Sequence, residues 1–329
     1  MKLKELDKLP KGFLETDSRH LVNLFDGPTL IHLKGEQEPP LFVSILLHGN
    51  EISGVLAVQK FLKHFEGAVL PRSISLLVGN VLAAAEGYRH LDGQPDYNRI
   101  WAGGESEEEK LAAEVVSIMK EKKIFASIDI HNNTGKNPHY TCVNILHKKS
   151  IYLGGMFSDT MIYFTEPHQV LGMAFSRLGA STIIECGLPG SVDGVEKVAQ
   201  MLIDIMELED FPVNHNVKVY KSFARIKVPE QSIVSFDEDN SDCDFCFITD
   251  FDEYNFTKIK KGTVLFKRPK GDLKLSIIDD IGKDISDDIL SYEGERVVLK
   301  KDIIPSMFTK DIRVIHQDCL GYLLYPIEY

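Results

Sequence analysis

Four side chains able to hold or use a metal ion stand at the ends of apolar runs. His48-Gly-Asn-Glu51 follows the run 41–47, LFVSILL. An imidazole nitrogen and a carboxylate oxygen suit Zn²⁺, and two histidines with one glutamate make a catalytic ligand set whose fourth position stays open to water. His48 and Glu51 are three apart at the expected start of a helix, where residues i and i+3 share a face. Taken alone, this spacing recurs by chance. Asp129-Ile-His131 closes a second apolar run, 125–130. A lone histidine there is more often a satisfied strand-end residue. Asp129, two residues back on a strand, shares the face of His131, which leaves a direct and a water-mediated contact both open. In Ile183-Ile-Glu185-Cys-Gly187 a carboxylate sits inside an apolar strand end. Such burial costs free energy without a partner. A nearby dication, a proton-transfer role or a simple reach to solvent would each account for it.

These residues need strands and helices to bring them together. Apolar runs predict strands at 41–47, 74–79, 125–130, 160–164 and 181–186. Ile52, Val55, Leu56, Leu62 and Phe65 recur at helical spacing and predict a helix over 52–65. Two more helices are expected at 107–123, acidic at its start and basic at its end, and at 193–208. Strands alternating with helices imply an α/β fold with a mostly parallel or mixed sheet covered on both faces. In such sheets ligands gather at the carboxyl ends of the strands, where His48, His131 and Glu185 all fall. After Pro212 the pattern changes to short β-rich runs (VKVYKSFARIKV, SIVSF, TVLFKR, RVVLKK, GYLLYPI) broken by acidic turns, with no helical pattern of any length. The domains are therefore expected at 1–212, catalytic and α/β, and 213–329, smaller and β-rich.

The bulk numbers narrow the field. A net charge of -12 over 329 residues disfavours nucleic acid, whose binding depends on phosphate neutralisation by Lys and Arg. It leaves room for a small anionic substrate held by arginines in a cleft. No run approaches the roughly 20 apolar residues of a membrane span. The first 20 residues lack the apolar core of a signal peptide. Five scattered cysteines do not resemble a disulfide framework, and a cytoplasmic location is expected. Cys243-Asp-Phe-Cys246 has no second pair to complete a structural zinc site, so ordinary β-domain cysteines are expected. Cys186 reads as a small buried hydrophobe. His139, His147 and His168 fall near the presumed active face and by default are loop histidines. No nucleotide-binding glycine motif is present.

Taken together, LLHGNEISG, DIHNNTG and TIIECG, with Arg89-His-Leu-Asp and Asp96-Tyr-Asn98-Arg99 between them, resemble the succinylglutamate desuccinylase/aspartoacylase family of the zinc carboxypeptidase superfamily. The motifs follow the family order over roughly residues 41–195. The resemblance implies a zinc-carboxypeptidase-like mixed sheet flanked by helices, followed by a β-rich domain that caps the active site. It implies one Zn²⁺ per chain on His48, Glu51 and His131, with Glu185 as the general base. It further implies that Asn98 and Arg99 hold a substrate carboxylate and that Arg89 polarises the scissile carbonyl. Two weaker matches are Arg177, before the Glu185 strand, and Tyr254, in the second domain. Two extra residues between Arg89 and Asn98, and Gly187-Leu-Pro-Gly-Ser-Val-Asp193 in place of the aspartoacylase segment GPQPQG, depart from the family pattern.

The expected activity is zinc-dependent hydrolysis of the acyl amide in a small anionic N-acyl amino acid. The alternatives are a metallocarboxypeptidase acting on short peptides and a non-catalytic binding protein. Neither nucleic acid nor membrane is an expected partner, and homo-oligomerisation stays open.

Overall fold

The computed structural model describes residues 2–212, 216–271 and 273–329. The chain divides into two compact units, Met1–Asn132 with His139–Val219 and Tyr329, and Asn133–Pro138 with Tyr220–Glu328. The boundary expected after Pro212 abuts residues 213–215, which lie outside the described residues.

The first unit opens with β1 (Lys4–Leu6), β2 (Thr29–Leu33) and β3 (Gly35–Ile45), whose second half is fully buried. Then come α1 (Ser53–His64), β4 (Leu70–Val78), α2 (Val81–Glu86), α3 (Glu107–Lys122) and β5 (Ala126–His131). It continues with β6 (Tyr140–Val143), α4 (Lys148–Gly155), β7 (Thr160–Tyr163), α5 (Leu171–Phe175), β8 (Ala180–Glu185) and α6 (Val192–Met206). The expected strands and helices are all present. The shorter β1, β2, β6, α2, α4 and α5 are additions, because a few residues carry too little periodicity to stand out.

In space the strands run β1-β2-β4-β3-β5-β8-β6-β7. β4, β3, β5 and β8 are mutually parallel, while β2 and β6 run antiparallel to β4 and β8, so the sheet is mixed. Period-two alternation sends side chains to opposite faces. Leu41, Val43, Ile45, Ile128 and Ile184 pack with Val58 and Phe61 of α1 and Val198 and Leu202 of α6. On the other face Phe42 and Leu77 meet Leu111, Val115 and Met119 of α3 and Phe175 of α5, with Phe42 stacked on Phe175 at 4.1 Å. The α3 start is set by a capping box, in which Ser106 Oγ accepts from Glu109 N and Glu109 Oε2 accepts from Ser106 N.

The second unit contains most of β9 (Lys218–Lys227), then β10 (Val234–Ser235), β11 (Phe245–Phe247), β12 (Val264–Lys267) and β13 (Ser276–Asp279). After these come α7 (Ser286–Ile289), β14 (Leu290–Glu293), β15 (Arg296–Leu299), β16 (Ile304–Ser306), α8 (Ile312–Gln317) and β17 (Gly321–Ile327). A sheet of order β10-β11-β12-β15-β14 lies apart from the antiparallel pairs β9/β13 and β16/β17. The unit is β-rich as expected. The two short helices correct the expectation of none: α8 starts where Asp311 Oδ1 accepts from Val314 N at 3.1 Å, a local cap that hydrophobic periodicity does not reveal. Cys243 and Cys246 are joined as a disulfide rather than standing as separate thiols, whereas Cys142 and Cys186 are free and buried and Cys319 is buried.

Candidate metal centre

The carboxyl ends of β3, β5 and β8 share one edge of the sheet, and register fixes what meets there. Asp129 pairs with Ser44 across β5 and β3, and His131 pairs with Glu185 across β5 and β8. Beyond β3 the chain turns through 48–51, with Glu51 N bonded to His48 O at 3.2 Å, and α1 begins only at Ser53. His48 and Glu51 therefore converge through a turn rather than a helical face. That turn is packed tightly. Gly49 N donates to Arg89 O at 3.0 Å, and a Cβ on Gly49 would lie 2.2 Å from Ala84 N, so the approach of α2 admits only glycine.

Glu51 occupies the middle of the cluster. Its Oε1 lies 2.8 Å from His48 Nδ1 and its Oε2 lies 2.7 Å from His131 Nδ1. Asn132 N also donates to Oε2, at 3.1 Å. Each ring carries a second carboxylate on its far nitrogen: Asp96 Oδ1 is 3.0 Å from His48 Nε2, and Asp129 Oδ2 is 2.8 Å from His131 Nε2. The Asp129 contact is thus direct. A carboxylate on Nε2 holds the proton there and turns Nδ1 toward a ligand position, the usual support of a metal-binding histidine. One donor atom from each of His48, Glu51 and His131 falls within 4.8 Å of the others, and all three residues are buried. The donor set and its supports fit a zinc ion.

The electrostatics follow from crowding charge in a dry place. Burial would raise the Glu51 carboxyl, but His48 and His131 outweigh it and hold it far below the usual range. Burial likewise opposes a charge on His131, yet Asp129 and Glu51 raise its pKa well above the ordinary histidine value. Glu185 goes the other way. Burial, then Glu51 and Asp129, push its carboxyl up to about 8 against the pull of His131 and Arg89. It does not reach freely to solvent, being 8% exposed.

Arg89 is held by Asp96 Oδ2, which accepts from Nε at 3.2 Å and Nη2 at 2.9 Å, while Nη1 stands 3.9 Å from Glu51 Oε1. Asp96 also accepts from Asn98 N at 2.7 Å and is kept strongly acidic, against burial, by Arg89 and His48. Asn98 Oδ1 accepts from Leu171 N at 3.0 Å, which leaves Nδ2 as its donor. Arg99 Nη1 donates to Asn98 O at 2.9 Å. Asn132 ties the turn after β8 to the cluster, donating through Nδ2 to Gly187 O at 2.8 Å and Ser53 Oγ at 2.9 Å.

One sequence candidate is not gathered here. Arg177 is exposed and precedes β8, whereas Glu185 closes it, so the six-residue strand, roughly 17 Å long, stands between them. Tyr254 belongs to the second unit, in the turn Phe251–Tyr254, packed against that unit's aromatic core. Of the histidines, His139 lies 3.5 Å from Asp193 Oδ2, His147 caps α4, and His168 is exposed beside Glu166. The residue that sequence reasoning left without a role is Asp96. The only signal was its place two residues before Asn98, where an aspartate can bond its own backbone two residues on.

Residues 38–164 match the sequence model of the succinylglutamate desuccinylase/aspartoacylase catalytic domain. A comparison with curated protein sequences finds no match. Among solved structures, murine aminoacylase 3 is similar at 15% identity with a TM-score of 0.56, covering 89% of this chain and 97% of that one. Succinylglutamate desuccinylase from Chromobacterium violaceum is also similar at 15% identity and a TM-score of 0.56, over 96% and 98% of the two chains. A succinylglutamate desuccinylase/aspartoacylase from Rhodobacter sphaeroides reaches a TM-score of 0.60 at 14% identity, over 90% and 88%. At such identities the likeness speaks to the fold. The matched segment holds His48, Glu51, Arg89, Asn98, Arg99 and His131, and Glu185 lies beyond it. Over residues 38–164 the chain is similar to the succinylglutamate desuccinylase/aspartoacylase catalytic domain.

Proposed function

We propose that this protein is a zinc-dependent amidohydrolase that cleaves the acyl amide of a small N-acyl amino acid. The observation that carries the reading is the convergence of His48, Glu51 and His131 beside a buried Glu185. His48 and His131 would hold the ion through Nδ1, and Glu51 through its carboxylate. When bound, zinc makes water a better acid and polarises a carbonyl. Glu185 takes the proton of the attacking water and passes it to the departing amine nitrogen. A buried carboxyl displaced upward from its ordinary range is suited to both halves of that transfer.

Arg89 is held rigidly by Asp96, so it can stabilise negative charge on the acyl oxygen with little reorganisation. Asn98 and Arg99 orient the carboxylate of the amino acid, Arg99 through its paired donors. The products are a carboxylic acid and a free amino acid. The test is a screen of N-acetyl- and N-succinyl-amino acids with zinc-loaded protein, reading released primary amine. Release from N-acyl amino acids supports the proposal. Hydrolysis confined to C-terminal peptide bonds replaces it with a metallocarboxypeptidase, and no zinc uptake removes it.

A further inference from the structure

A cavity of about 880 Å³ opens within the first unit, away from the metal centre. Pro39 and Pro40 of β3 line it, and from there the strand runs on to Ile45 and the metal edge. Its volume falls in the ordinary range of ligand pockets, roughly 300–1,000 Å³. Leu33 and Ile74 complete its apolar walls. His32 and Ser75, which also line it, are directly opposed across β2 and β4, with Nδ1 2.9 Å from Ser75 Oγ. Nε2 lies 3.2 Å from Glu5 Oε2. The carboxylate takes the Nε2 proton, so the Ser75 hydroxyl donates to Nδ1. Burial, then Lys122, hold the His32 pKa below the ordinary histidine value. This pair is satisfied inside the protein and offers a ligand an uncharged wall.

The charges around the cavity are differently placed. Lys34 sits between β2 and β3, Lys122 closes α3 with Lys123 as its cap, and Asp7 follows β1. All are exposed, and among the described residues none of these side chains has a hydrogen bond or ion pair. Glu38 accepts from Ser73 Oγ at 2.6 Å through Oε1 and leaves Oε2 open. Lysines and carboxylates thus line one cavity without pairing across it. A purely anionic ligand would meet Asp7, Glu38 and the negative end of the α3 dipole. A purely cationic one would meet the lysines. A dipolar ion satisfies both signs, its carboxylate toward the lysines and its ammonium toward Asp7 or Glu38, through charge-assisted hydrogen bonds. The apolar walls then suit an apolar side chain. We propose that this cavity binds an α-amino acid with an aliphatic side chain, at a site separate from the metal centre. The proposal does not depend on the hydrolytic reading of that centre.

Calorimetric titration of the full chain with L-leucine, isocaproate and isoamylamine tests it, since each analogue keeps the aliphatic chain and drops one charge. L-leucine is expected to bind saturably, and each analogue about tenfold more weakly, because hydrogen bonds to a charged group are lost. Lys122→Gln and Asp7→Asn change exposed side chains and should each weaken leucine by about the same factor. Arg99→Gln alters the metal centre and should leave leucine affinity at the cavity unchanged. Lysine acetylation read by mass spectrometry locates the ligand: leucine should slow modification of Lys34, Lys122 and Lys123 and not of exposed Lys11. No saturable binding of L-leucine overturns the proposal. Isocaproate binding equally well also overturns it, by marking a plain anion site. Leucine binding lost in Arg99→Gln but kept in Lys122→Gln and Asp7→Asn places the ligand at the metal centre and overturns it too.

Discussion

The interiors of the two units are built from different materials. At one edge of the first unit's sheet, ionisable groups are buried together: His48, Glu51, Arg89, Asp129 and His131, with Asp96 nearly so. In the second unit the interior is aromatic, with Phe245, Phe247, Phe251, Phe266 and Phe308 in ring contact, and charge pairs such as those of Lys258 and Lys260 with Asp302 lie outside. Burying rings stabilises a fold directly. Burying charge costs free energy unless every group finds partners, and even then it often only breaks even. The cluster meets that demand group by group. Glu51 alone takes His48, His131 and the Asn132 amide. The comparison teaches that the first unit carries its chemistry at the expense of stability, supported by the apolar packing on both faces of its sheet.

The largest effect should come from removing chemistry without removing metal. Glu185→Gln is expected to cut turnover on an N-acyl amino acid by about a hundred- to ten-thousandfold, while elemental analysis still finds one zinc. A near-normal rate would take the general-base role away from this residue. Truncation in the aromatic core should do the reverse. Phe266→Ala, at a position 1% exposed, should cost about 3–5 kcal/mol in denaturant unfolding and leave zinc affinity unchanged. If affinity fell as steeply as stability, the contrast between the two regions would collapse.

A smaller effect is expected where a support is altered. Asp129→Asn keeps shape but loses the charge on His131 Nε2, and zinc affinity should drop about ten- to a hundredfold. Chelator competition measures it, and an unchanged constant would make Asp129 a bystander. The subtlest difference is in pH. In metal-free protein the Glu185 carboxyl is raised to about 8, so the unfolded chain sheds that proton first and stability falls as pH rises from roughly 4.5 toward 8. Asp302 is depressed, chiefly by the Lys261 N–H and then Lys258, so its small contribution is present above pH ~4 and lost on acidification. Glu185→Gln should flatten the first slope. Asp302→Asn should remove only an acid-side contribution that salt also weakens. Urea midpoints from pH 3 to 9, metal-free, distinguish the two, and slopes of equal sign would refute the assignment.

The site was readable in outline because its ligands lie at strand ends. An apolar run followed by HGNE, and another ending in His131, mark two carboxyl-terminal edges, and a parallel arrangement then places them side by side. The reason for pairing His48 with Glu51 needed correction, since a turn and not a helix joins them. Asp96 could not be read as a partner of His48, because the contact spans 48 residues and depends on how the segment after α2 folds back. Arg177 resembled a site residue in sequence but precedes the strand that Glu185 closes, and extended chain moves roughly 3.3 Å per residue.

What the sequence by itself determined is the local chemistry: donor types, their spacing, the buried strands that deliver them and the change to a β-rich pattern after Pro212. Those follow from periodicity and side-chain type, which act over a few residues. Tertiary structure alone decided that Asp96 backs His48, that Glu185 is buried beside His131, and that residues 133–138 are held by Asn255. Each of these depends on contacts between segments far apart in the chain, formed only when register and packing are complete.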